Sequence, residues 1–183
     1  MSTASGGAAI APPSSTASSA LPGAVSSSRV RGEYTLERHQ WVVAPHDEVF
    51  SFFSRAENLG KITPQWLGFE ILTPTPIEMR RGTVIDYRIR FAGLPMKWRS
   101  LIAEWTPGES FVDTQEIGPY RLREHTHRFY PMGGGTLVTD RVRYRLPFGI
   151  LGRTAHALMV RANLASIFDH RQRVIAERFG GAP

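Results

Sequence analysis

The stretch from Leu151 to Phe179, LGRTAHALMVRANLASIFDHRQRVIAERF, holds no proline and no glycine after Gly152; Gly180-Gly181 and Pro183 follow it. Breakers at its end and none inside predict one long C-terminal helix, roughly 43 Å at helical rise. One apolar row runs through Leu151, Ala155, Leu158, Ala162, Ala165, Phe168, Ile175 and Phe179, stepping by three and four apart from Gln172, the spacing of a helix face laid on a core. Three of these are alanines, so the helix would leave space above whatever it covers and roof a cavity. Val160, Leu164 and Ile167 are apolar on another side. That side leaves open a homodimer or a protein partner docked through the C-terminal helix.

What precedes the helix reads as strands. Tyr34–Val43 is a first strand, and Pro45 with Asp47 and Glu48 opens a short helix, proline and acids both suiting a first turn. Glu57–Ile62 is a second short helix, stopped at Thr63-Pro64. Six strands follow: Gly68–Leu72, Thr83–Phe91, Met96–Trp105, Ser110–Ile117, Leu122–Tyr130 and Thr136–Leu146. Their separators are rich in Gly and Pro and mostly short, which predicts antiparallel neighbours in a meander. The class is α+β, a seven-stranded antiparallel sheet with two short helices after the first strand.

At 183 residues the chain suits one domain. Residues 1–32 are almost wholly Ser, Ala, Gly and Pro, predicting a disordered low-complexity tail ahead of a domain at 33–181. The tail lacks the charged start and apolar run of a secretory signal, and no stretch reaches membrane-span length; a cytoplasmic location is the default. No cysteine is present, which excludes disulfides, thiolate metal sites and a cysteine nucleophile. The net charge of +6 comes without a basic run, so nucleic acid is not an expected partner.

Alternation assigns faces to the strands. Ile85, Tyr87 and Ile89 share one side, Trp98, Ser100 and Ile102 another, then Phe111, Asp113 and Gln115, His125, His127 and Phe129, and Val138, Asp140, Val142 and Tyr144. Folding at Gly118–Arg121 sets Asp113 near His127 and Gln115 near His125. Folding at Pro131–Gly135 sets His127 near Asp140 and His125 near Val142. A polar band on an apolar concave face is the result. Three uses stay open for it: mutual satisfaction of buried groups, orientation of a ligand's polar end, and acid–base chemistry with His127 as general base tuned by Asp113 or Asp140. His-x-His with flanking aspartates could also hold a metal, but two competing carboxylates give no defined ligand set; neither a metal nor a cofactor is assigned. Trp98, Ile102, Phe111, Phe129, Val142, Tyr144, Leu158 and Ala162 are the expected apolar wall of a small-molecule pocket, and Asp113, Gln115, His125 and His127 its polar end.

The runs WVVAPHDEVFSFFSRAENLGKITP and FVDTQEIGPYRLREHTHRFYPMGGGTLVTDRVRYRLP resemble the opening strand and helix pair, and the later hairpins, of the START-like (SRPBCC) superfamily. That superfamily includes the birch pollen allergen, lipid-transfer START domains and polyketide cyclase/dehydrase-like proteins. The resemblance runs from about Glu33 to Gly180. It implies the helix-grip fold, in which a curved sheet wraps the long helix. For function it implies a small hydrophobic or aromatic ligand (lipid, polyketide or isoprenoid-like), with a cyclase/dehydrase-type enzyme in the same pocket as the alternative.

Overall fold

A computed structural model describes residues 26–30, 32–91, 93–147 and 159–181. The strands are β1 (Ser26–Val30), β2 (Glu33–Val42), β3 (Glu70–Ile71), β4 (Val84–Phe91), β5 (Leu94–Thr106), β6 (Ser110–Ile117), β7 (Leu122–Met132) and β8 (Gly135–Arg145). They form one antiparallel sheet in the order β1-β2-β8-β7-β6-β5-β4-β3. Helix α1 (His46–Phe53) and two 3-10 turns, Ala56–Ile62 and Gln65–Leu67, fill the link from β2 to β3. Helix α2 (Arg161–Phe179) lies on the concave face. The helix-grip architecture is the one expected, with the seven expected strands and β1 added at the edge.

Strand β1 corrects the tail boundary. Ser26–Val30 pairs with β2 from Ser26↔Glu37 to Val30↔Glu33, inside the stretch whose composition predicts disorder. Edge pairing is a backbone interaction and asks for no apolar side chains; Gly32, at φ 81°, makes the turn. Residues 1–25 lie outside the described residues.

Alternation is followed closely. Leu36, Arg38, Gln40 and Val42 of β2 are buried, as are Trp98, Ser100 and Ile102 of β5 and Val138, Asp140, Val142 and Tyr144 of β8. The opposite face is charged and laced with ion pairs such as Arg99–Asp86 at 2.7 Å and Arg143–Glu124 at 2.9 Å. Register shifts at Arg99/Ser100 and Ile102/Glu104 break the β5–β6 ladder, and bulges of this kind bend a sheet. Arg38 donates to Asp169 at 2.8 Å and Gln40 to the Gln172 carbonyl at 2.8 Å, tying α2 to β2. The helix ends at Gly180, whose N–H reaches the Ala176 carbonyl. Gly181, at φ 115°, follows against β2, where a Cβ would meet the Trp41 carbonyl oxygen at 2.4 Å.

The core is divided. Val42, Val49, Phe52, Phe53, Phe129, Val138, Ile175 and Phe179 close one end beneath α1. Leu36, Val142, Tyr144, Val160, Leu164 and Phe168 close a second region, and smaller clusters on β4 and β5 hold Ile85 with Ile102 and Leu67 with Ile89 and Trp98. Space remains between them.

The helix also corrects an expectation. Val160, Leu164 and Phe168 are buried, whereas Ala162 is exposed. In the first turns of the helix the side expected to dock a partner is therefore the side that faces the sheet, because turning Val160 and Leu164 inward removes far more apolar area from water than turning alanines inward; Phe168, Ile175 and Phe179 of the expected inner row are buried. The docking face at Val160, Leu164 and Ile167 is thereby withdrawn. Leu151, Ala155 and Leu158 lie outside the described residues.

Candidate functional site

The space between the clusters is a cavity of about 210 Å³. Ile85, Ile89, Trp98 and Ile102 wall it from the sheet, Leu67 from the second 3-10 turn, and Val160, Leu164, Ile167 and Phe168 from the helix. Tyr87 stacks on Trp98 at 5.9 Å between ring centres, and Tyr120 meets Trp98 edge-on at 5.8 Å. Ser100 bridges the first pair, taking the Trp98 indole N–H at 3.2 Å and lying 3.1 Å from the Tyr87 hydroxyl. Burial pushes the Tyr120 phenol up to about 12 and raises that of Tyr87 as well. The aromatic wall is uncharged.

One side of the cavity is polar. Strand register sets Asp113 opposite His125 and Phe111 opposite His127 on β6–β7, and His127 opposite Asp140 on β7–β8. Arg123 Nη1 donates to Asp113 Oδ1 at 2.6 Å, and its Nη2 lies 3.3 Å from His125 Nδ1. An arginine can only donate, so Nδ1 accepts and the His125 Nε2–H donates to Asp140 Oδ1 at 3.0 Å. His127 lies between both carboxylates, Nδ1 2.8 Å from Asp140 Oδ1 and Nε2 3.3 Å from Asp113 Oδ2. Arg171 comes down from the helix, its Nη2 3.4 Å from Asp140 Oδ1 and 3.3 Å from His127 Nδ1. His127 stacks on Phe111 at 4.3 Å, and the two imidazoles lie 3.8 Å apart.

Burial sets the protonation of this network, and its neighbours adjust it. Burial and then His127 push the His125 imidazole down to about 3, against the pull of Asp140 and Asp113. Burial would raise the Asp113 carboxyl, but Arg123, the bond to His127 and the charge of His125 outweigh it and hold the group well below the usual carboxylate range. Asp140 is held low in the same way, burial being overcome by Arg171, His125 and His127. Asp113, His125 and His127 offer possible ligand atoms within 4.8 Å of one another. Asp113 and His127 already bond to each other, the His125 nitrogens are taken by Arg123 and Asp140, and Arg123 sets its positive charge against the Asp113 carboxylate, an arrangement that opposes a dication. A general base needs a ring nitrogen open to the cavity. Both nitrogens of His127, and both of His125, are taken.

The expected site residues divide. Trp98, Ile102, Phe111, Asp113, His125, His127 and Val142 line the cavity. Gln115 does not: its amide donates to the Tyr120 carbonyl at 2.7 Å and holds the turn. Phe129 lies in the aromatic cluster under α1, in ring contact with Phe50, Phe53 and Phe111. Tyr144 stacks on Tyr34 at 5.5 Å, Ala162 is exposed, and Leu158 lies outside the described residues. In the ladder Asp113 pairs with His125, two residues from the expected His127, although its carboxylate does reach His127 at 3.3 Å as expected; a Cβ on Gly118 would lie 2.4 Å from the Gln115 Oε1. Arg123 and Arg171 were not among the expected site residues. Parity could have found the first, since it shares a face with His125 and His127. Arg171 falls between Phe168 and Ile175 in the buried row of the helix.

A family model described as polyketide cyclase / dehydrase and lipid transport matches residues 42–168. The chain belongs to this family. Among solved structures, the cyclase/dehydrase-type domain is similar to TTHA0849 from Thermus thermophilus (18% identity, 79% of this chain and 98% of that one, TM-score 0.61). It is also similar to the di-domain ARO/CYC StfQ from the steffimycin biosynthetic pathway (17%, 80% of this chain and 52% of that one, TM-score 0.58). A third is the major latex-like protein 151 of Panax ginseng (11%, 81% and 98%, TM-score 0.58). At these identities the likeness establishes the helix-grip fold. No protein of curated function matches the chain by sequence. No helix among the described residues is long and apolar enough to cross a membrane.

Proposed function

We propose that this protein binds a small hydrophobic or aromatic molecule, of lipid, polyketide or isoprenoid character, in the cavity between sheet and C-terminal helix. The observation that carries the reading is a mainly apolar cavity of about 210 Å³ with a buried polar cluster, Asp113, Arg123, His125, His127 and Arg171, in one part of its wall. Its size is below the ~300–1,000 Å³ of drug-sized sites, so a bicyclic aromatic is a suitable measure. Membership of the cyclase/dehydrase family and the likeness to StfQ support an aromatic or polyketide-like occupant. Binding is preferred to general-base catalysis because no imidazole nitrogen faces the cavity unpaired.

The neutral dye N-phenyl-1-naphthylamine should bind with one-to-one stoichiometry and raise the melting temperature by mass action. Ile167 is partly buried in the cavity wall, so Ile167→Trp should fill the space. It is expected to abolish dye binding while lowering the melting temperature by only a few degrees. A filled core at this point would instead be overpacked and lose about 1–3 kcal/mol; that result, or undiminished dye binding, would refute the reading.

A further inference from the structure

The charges around the cavity are paired one to one. Arg123 is 16% exposed and bound to Asp113 at 2.6 Å; Arg171 is 10% exposed and lies 3.4 Å from Asp140. The two guanidinium groups and the two carboxylates sum to zero. Both guanidinium groups are also set on rings, Arg123 over Trp98 at 5.3 Å and Arg171 over Phe53 at 4.8 Å, which helps hold them in place. The remaining cation of the lining, Arg90, is exposed and packs its stem against Gly68.

Resting on the ligand-binding reading, we infer that the pocket selects an uncharged aromatic ligand, a ketone or phenol rather than a carboxylate or phosphate, and that Asp113 sets this preference by neutralising Arg123. An anion entering the cavity would lose its hydration and find no buried cation left without a carboxylate partner, Arg90 lying exposed at the surface, and burying an uncompensated charge is strongly unfavourable. A carbonyl or hydroxyl oxygen loses less water. Arg123 can still serve it, because Asp113 and His125 take two of the five guanidinium N–H donors. The aromatic wall of Tyr87, Trp98 and Tyr120 adds no charge and offers flat faces to stack on.

The test compares 2-naphthol with 2-naphthoic acid, matched in shape and differing in charge, by calorimetric titration at about pH 8, well above the carboxylate range. The wild-type protein should prefer 2-naphthol by about tenfold or more. Asp113→Asn leaves Arg123 uncompensated and should move the ratio toward 2-naphthoate by about tenfold or more. Asp113→Asn with Arg123→Gln, uncharged again, should restore the preference for naphthol. Should Asp113→Asn fail to fold, Arg123→Gln leaves the wall one negative charge in excess and should widen the preference against 2-naphthoate. Equal or tighter binding of 2-naphthoate by the wild type overturns the inference, as does a ratio unmoved by the charge changes. If neither naphthalene binds while N-phenyl-1-naphthylamine does, the inference fails and the ligand-binding reading stands. If that dye fails as well, both fall.

Discussion

Asp140→Leu should be the most destabilising single change in the polar wall, lowering the unfolding free energy by about 3–5 kcal/mol. Its carboxylate is 9% exposed and serves three partners: Arg171 at 3.4 Å, His125 at 3.0 Å and His127 at 2.8 Å. Leucine occupies a similar volume but accepts no hydrogen bond. The Arg171 guanidinium would be left buried without its counter-charge, and both imidazoles would lose an acceptor. The cost arises chiefly from what is stranded, not from the bonds themselves. Asp140→Leu with Arg171→Leu should therefore be less destabilised than the two single changes summed. The outer-face pair Arg88–Glu70 gives the comparison: both side chains are half exposed, and Glu70→Ala should cost less than about 1 kcal/mol. Denaturant unfolding of the four variants measures all of this. A loss for Asp140→Leu no greater than that for Glu70→Ala would mean that Asp140 is not the hub of the network.

How much of this site can be read from residues alone depends on the length of chain that each contact spans. The His127–Asp140 pairing is legible because β7 and β8 meet across a short glycine turn, so parity and turn length fix the register. The β6–β7 register is not, because registers that differ by two residues put the same side chains on the same face and alternation cannot choose between them. The helix face is ambiguous for a related reason. A row through Ala162 and Ala165 and a row through Val160, Leu164 and Phe168 both satisfy helical spacing, and only the curvature of a distant sheet decides between them. The cavity is present although Ala162 and Ala165, two of the alanines expected to create it, do not line it. It comes from core clusters that do not meet, a property of the whole sheet. Arg123 and Arg171 escape a composition-based reading because arginines are usually solvated; here acidic partners and aromatic rings allow their burial.

The second large effect is a loss of stability in acid that begins well above the carboxylate range. His125 is buried, and its imidazole is pushed down to about 3 from an ordinary value of 6.5. The folded state therefore keeps it neutral while the unfolded chain protonates it as pH falls through 6.5. The sign follows: below about 6.5 the unfolded state binds the extra proton, so stability declines toward lower pH and the loss ends only near the folded value. The slope is at most about 1.4 kcal/mol per pH unit, or about 3 kcal/mol between about pH 6.5 and 4. Asp113 and Asp140, both held low in the folded protein, add a second loss only below about pH 4, where the unfolded chain begins to protonate its carboxylates. His125→Gln separates the two. Its amide can still donate to Asp140 but does not titrate, so stability should be nearly flat from about pH 6.5 to about 4 and fall only beneath that. Denaturation midpoints of wild type and variant, measured at several pH values from about 7.5 to 4, should diverge progressively as pH drops. Parallel curves would show that His125 takes up its proton in the folded state as readily as in the unfolded one, which a ring wedged between Arg123 and Asp140 beneath the cavity does not allow.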